Sequence, residues 1–228
     1  MLLNTEFPMR LKILLFFSVI ISCSFNQKTQ LYETIESRAA DLLISLSIKD
    51  SSYKIEIENL KSSLYQNVNS EVLEKTYLTS LNEYDSLRDH FSEFEKEINK
   101  ISLDSALVLF NQWYLHFNSV FYNYAEKKFF SSQKIKILLF STSMSCYCTL
   151  EMCKNQLIDI LKLVRSSNSE YDYLAIDAYA KDDLPIKYET LFTPSVIVFN
   201  GNNEVIHKIA YDEEMINKLS VFLNEYKN

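Results

Sequence analysis

Three cysteines, Cys146, Cys148 and Cys153, fall within eight residues of one another in the stretch 134–153, KIKILLFSTSMSCYCTLEMC. Thiols grouped this closely can exchange disulfides, hold a soft metal ion, or fill space in a core. An apolar run at 135–140 precedes them, with the length and composition of a buried strand, and a Ser/Thr-rich loop at 141–145 joins the two. After the cysteines, apolar residues recur at helical spacing: Leu150, Leu157, Ile160, Leu161 and Val164. The cysteines therefore stand where a strand hands over to a helix N-terminus. Unbonded N–H groups and the positive end of the helix dipole favour a thiolate at that point.

Geometry limits the pairings. Positions 148 and 153 on a regular helix are separated by about 7.5 Å of rise, more than the roughly 7 Å between Cα atoms that a disulfide tolerates. Cys146 and Cys153 are farther apart still. Cys146 and Cys148 can close only where the backbone is non-helical, in a strained and easily reduced ring suited to exchange. Cys153 then reads as a small hydrophobe on the buried helix face, with a third metal ligand or a regulatory thiol as its sharper alternatives.

The elements that must position this site differ between the two halves of the chain. The 228 residues carry a net charge of −7, spread evenly, with no basic patch to track phosphates, so a nucleic-acid partner is not expected. There is one glycine, Gly201, where average usage gives roughly 16. Phosphate-cradling glycine loops are thereby excluded.

Residues 1–22 read as a targeting segment. Arg10 and Lys12 form a basic start, and 11–21 an apolar core too short to span a bilayer, with Met9 a plausible alternative start. The ending Ile20-Ile21-Ser22-Cys23 resembles the lipobox of bacterial lipoproteins. That resemblance implies lipidation of Cys23, a tether over 23–30, and a membrane-anchored protein of the bacterial cell envelope. Ser24 would favour the periplasmic side of the outer membrane where two membranes exist. Outside the cytosol disulfides persist, which brings redox and metal readings of the remaining cysteines forward.

From residue 31 to 130 the pattern is helical, with faces at Leu31, Ile35, Ala39, Leu42 and Leu46, and at Ile57, Leu60 and Leu64. The longest run is Leu73, Tyr77, Leu81, Tyr84, Leu87, Phe91, Phe94, Ile98 and Ile101, with Ser70 as its expected N-cap. A last helix over 104–127 would bury Phe110, Trp113, Phe117 and Phe121. Three or four helices in a bundle are expected. The aromatic stripe reads as core, and His90 and His116 as single histidines without an ExxH or HExxH motif, so no metal ligands are expected there.

Residues 134–228 read as β-α-β-α-β-β-α. Strands fall at 135–140, 171–178, within 191–199 starting immediately after Pro194, and at 204–210, with a turn at 200–203 and a last helix capped by Asp212. With cysteines at the first helix start and Thr193-Pro194 at the third strand, this half resembles the thioredoxin family. The fold class expected is thus an α/β thioredoxin-like domain (134–228) preceded by an all-α domain (31–130). The resemblance implies a cis Pro194 beside the cysteines and a Thr193 backbone that binds a peptide substrate. It also implies Cys146 as exposed nucleophile and Cys148 as shielded resolving thiol. The chain departs from the family in having CxC rather than CxxC, and Leu139 where thioredoxins bury an acid. A shifted alignment puts Ser145 in the nucleophile slot.

The function expected is a membrane-anchored envelope thiol–disulfide oxidoreductase that acts on protein thiols and disulfides and needs no cofactor. Two alternatives stay open: a redox-inactive docking module, and a protein that binds Cu(I) through Cys146, Cys148 and Cys153.

Overall fold

Polar side chains cut the helical half into its segments. The computed structural model describes residues 30–167 and 170–227; Cys23 and the expected signal segment lie outside them. Among the described residues six helices precede the first strand: α1 (Leu31–Ser47), α2 (Tyr53–Leu64), α3 (Ser70–Thr76), α4 (Leu81–Ile98), α5 (Leu103–Val120) and α6 (Tyr122–Ser131). The expectation of three or four helices needs correcting. The long run from Leu73 is broken after α3, where Leu78 takes a left-handed φ of 54°. Ser80 and Glu83 then form a reciprocal capping box that starts α4. Asn69, not Ser70, caps α3, its side chain accepting from the Glu71 N–H. The run at 104–127 divides at Phe121, across which the helical bonding is nearly continuous: Phe121 N–H bonds the Phe117 carbonyl, and Ala125 N–H bonds that of Phe121.

The core of this half is aromatic. Trp113 is stacked on Phe110 at 5.3 Å and on Phe117 at 5.9 Å, and meets Phe91 edge-on at 5.4 Å. Its Nε1–H donates to the Leu87 carbonyl at 3.0 Å. Buried Tyr84 donates to the Leu64 carbonyl at 2.8 Å, and Tyr77 Oη accepts from the Leu31 N–H at 2.9 Å. The polar ends of the large rings are thus satisfied where water is absent.

The second half follows the expected order: β1 (Ile135–Ser141), α7 (Tyr147–Ser166), β2 (Tyr171–Asp177), α8 (Asp183–Lys187), β3 (Ser195–Phe199), β4 (Val205–Ala210) and α9 (Met215–Lys227). The sheet order is β2-β1-β3-β4. β1 runs parallel to β2 and antiparallel to β3, which is antiparallel to β4. The central strands β1 and β3 are buried almost throughout, as continuous apolar runs require. At the β3–β4 turn the left-handed position falls on Asn203 (φ 67°), not on Gly201. Gly201 is needed for proximity instead, because a Cβ there would lie 2.4 Å from the Gln133 carbonyl oxygen.

The helical half packs against β2 through α5 and α6, and against α7 through α1. An edge strand that would otherwise offer unpaired backbone is covered. At the junction Tyr114 of α5 donates to the Glu36 carboxylate of α1 at 3.1 Å, and Tyr173 of β2 hydrogen-bonds both Glu36 and Tyr114. Burial pushes the Glu36 carboxyl up from its ordinary range, against the lowering effect of the Tyr173 hydrogen bond.

Candidate functional site

The loop that carries the cysteines is held by the ends of two strands. Asp177, buried at the end of β2, accepts from the Ser143 N–H at 3.0 Å and the Tyr179 N–H at 3.1 Å. Thr142 Oγ1 donates to the Met144 carbonyl at 3.0 Å, which tightens the turn before the helix. Cys146 is the N-cap of α7, in extended conformation (φ −65°, ψ 157°). Its Sγ lies 3.2 Å from Thr149 Oγ1. The Thr149 hydroxyl, then the Thr149 N–H, with smaller help from Ser145 and the Cys148 N–H, hold the Cys146 thiol below its ordinary pKa. Donors aimed at a sulfur favour its anion, and the start of a helix supplies such donors.

The other two thiols occupy different settings. Cys148 is exposed in the first turn of α7, so the expectation that it is shielded is corrected: the side chain one turn on from Cys146, bonded to its sulfur, is Thr149. Residues three apart on a helix face each other, whereas residues two apart do not. Cys153 is fully buried and its thiol is pushed up by burial, the setting of a core side chain. The three sulfurs therefore do not share one environment. Among the described residues no group of three His, Cys, Asp or Glu side chains is placed to hold a metal ion. A Cu(I) site built from all three cysteines would require Cys153 to leave the core.

The Thr193–Pro194 peptide bond is cis. Thr193 borders a groove with Ser145, Thr149, Leu191, Phe192 and Tyr211, next to the Cys146–Thr149 contact. Large apolar side chains ring this end of the domain without being covered: Tyr147 (76% exposed), Leu191 (75%), Phe192 (66%) and Met144 (61%). On the other side of the loop, Val108, Asn111 and Gln112 of α5 line a smaller cavity with Ser143 and Tyr147. The helical half thus supplies a wall beside the cysteines.

No family model and no curated protein matches the chain. Several solved structures are similar in backbone path over the C-terminal part. They include the germline-specific thioredoxin Deadhead of Drosophila melanogaster, at 20% identity and TM-score 0.37, over 45% of this chain and 92% of that one. Mitochondrial thioredoxin 3 of Saccharomyces cerevisiae is similar at 14% identity and TM-score 0.34, over 41% and 82% of the two chains. A designed protein is similar at 16% identity and TM-score 0.35, over 45% and 86%. The C-terminal half has a thioredoxin-like fold. The strand order, the parallel β1–β2 pair and the antiparallel β3–β4 hairpin are its own structural evidence for that fold.

Two residues of this site carry little signal in the sequence. Thr149 stands three after Cys146, so the run Cys146-Tyr147-Cys148-Thr149 could have been read as CxxT. Asp177 gave no local signal, because its role depends on β1 and β2 ending side by side.

Proposed function

We propose that this chain is a thiol–disulfide oxidoreductase in which Cys146 is the nucleophile. The observation that carries the reading is an exposed N-cap thiol with its sulfur 3.2 Å from a helix hydroxyl, ringed by uncovered apolar side chains that fit a protein partner. In the reductive direction the Cys146 thiolate attacks one sulfur of a partner disulfide, forming a mixed disulfide and expelling the second partner sulfur as thiolate. The Cys148 thiolate then attacks Cys146 Sγ, the internal disulfide forms, and the partner leaves with both sulfurs reduced. The partner gains two electrons and the Cys146–Cys148 pair loses them; the oxidative direction is the reverse. The extended backbone at Cys146, outside the regular helix, supports closure of a ring over the three residues Cys146–Cys148. The exposure of Cys148 suits attack from either side of the loop. Thr193 supplies backbone beside the groove for an extended partner segment.

The test is capture. Cys148→Ser is expected to accumulate mixed disulfides through Cys146, and Cys146→Ser few. Trapping by Cys146→Ser alone would move the nucleophile to Cys148, and trapping by neither variant would leave a docking module without exchange activity.

The same proposal places the protein in the bacterial envelope, lipid-anchored through Cys23. The support for this anchor is the resemblance of Ile20-Ile21-Ser22-Cys23 to a lipobox, a lipid at that cysteine being able to hold a chain at a membrane. Cys23→Ala is expected to move the protein from the membrane fraction to the soluble one. Unchanged partition would refute the anchor and leave the redox reading intact.

A further inference from the structure

The two histidines that the sequence presents singly are brought together. His90 on α4 and His116 on α5 lie with ring centroids 5.0 Å apart and planes inclined at 60°. The two helices pack side by side, and His90, Glu93, Gln112, Trp113 and His116 line one groove between them. His116 Nε2 is buried and has no hydrogen-bond partner. A buried ring nitrogen left without a partner forgoes a bond that the buried Tyr84 and Trp113 of this half do make, and leaves an acceptor or donor open to a ligand.

The separation of the rings is informative. Two imidazoles bound to one tetrahedral ion at N–metal distances of 2.0–2.1 Å place their centroids roughly 5 Å apart. Glu93 is three residues from His90 on the same face of α4 and is exposed, free to rotate toward the groove. Among the described residues no three His, Cys, Asp or Glu side chains already form a complete set. The imidazole pair is thus the preformed part, with the Glu93 carboxylate and water to complete it.

We propose that the groove between α4 and α5 binds a divalent late transition-metal ion through His90 and His116, with Glu93 as third ligand. Imidazole with a single carboxylate selects such ions over Mg2+ and Ca2+, which take oxygen ligands. The site is separate from the cysteines and does not depend on their chemistry.

Trp113, the only tryptophan of the chain, lines the same groove and provides the readout. The reduced protein, its accessible thiols blocked with iodoacetamide, is titrated with Co2+ while indole fluorescence is followed. Co2+, which is paramagnetic, is expected to quench Trp113 at a single site, and Zn2+ to displace it and restore emission. His90 is exposed, so His90→Ala spares the core, and near-UV circular dichroism verifies its fold. It should weaken quenching at least about tenfold, the lower end of what loss of even a supporting partner costs a metal site. Glu93→Gln should weaken it less. Equal quenching in wild type and His90→Ala, or no quenching at a large molar excess of Co2+, overturns the proposal and leaves the histidines as a packing pair.

Discussion

The helical core and the cysteine end of the second half present their aromatic side chains in opposite ways. In the helical half Trp113, Tyr77 and Tyr84 are buried, and each polar end is bonded. At the cysteine end of the thioredoxin-like half Tyr147 and Phe192 stand in solvent, beside an exposed Cys146 and Cys148. The helical half exposes Tyr65 and a few aliphatic side chains too, but Tyr147, Leu191 and Phe192 are more exposed than any of them and gather around the thiol. Uncovered apolar side chains around a thiol with a lowered pKa are placed for contact with another molecule. The two sets of rings differ in burial: one is packed in a core and the other, under the proposed function, is the surface a partner would meet.

Substitution of one ring from each set breaks that comparison if it is wrong. Trp113→Ala should cost about 3–5 kcal/mol in denaturant unfolding, through lost burial and the cavity left behind. Phe192→Ala should stay within about 0.5 kcal/mol, as surface changes do, while slowing exchange with protein disulfides more than with a small disulfide. Equal stability costs would mean that Phe192 belongs to the core. Equal slowing toward both kinds of substrate would mean that it does not touch the partner.

The junction between the halves responds to pH. Glu36 is partly buried and desolvation pushes its carboxyl up, so the folded state holds its proton to a higher pH than the unfolded chain does. Between the ordinary value of about 4.3 and the raised folded value, unfolding releases a proton. Stability therefore falls as pH rises through that window and is fully present only below it. Glu36→Gln keeps an acceptor for Tyr114 and Tyr173 but cannot ionise. The variant should gain melting temperature relative to wild type as pH is raised from 4 to 8, by less than the Trp113 variant loses. A difference that stays constant over this range would show that Glu36 does not titrate between the states.

Much of the architecture could be read in the chain because it rests on local pattern. The apolar runs of β1 and β3, the cysteines at a helix start and the Thr-Pro before β3 all fall where expected. The helix breaks were overlooked for a physical reason. Apolar spacing continues across Tyr77 and Leu81, while the stop is written in polar side chains, the Ser80–Glu83 box. Contacts made by the fold itself were beyond periodicity: His90 with His116, and Glu36 with Tyr114 and Tyr173. Each joins residues on different elements, and neither end predicts the other.

The smallest expected effect separates the reactive thiol from its neighbour most finely. The Thr149 hydroxyl is the largest single influence that lowers the Cys146 pKa, ahead of the N–H groups of Thr149 and Cys148. Thr149→Val keeps the shape of the side chain and removes that donor, while the backbone donors remain. The Cys146 pKa should rise, so its thiolate fraction falls at any pH below the new value. Alkylation of Cys146 should slow on the acid side of its profile and reach a plateau at least as high as wild type on the alkaline side. A thiolate of higher pKa is intrinsically the better nucleophile, with a Brønsted slope of about 0.4–0.5. Uniform slowing at every pH would point to lost access rather than lost stabilisation of the anion. An unchanged profile would mean that the hydroxyl donates elsewhere, and that the backbone at the start of α7 alone activates Cys146.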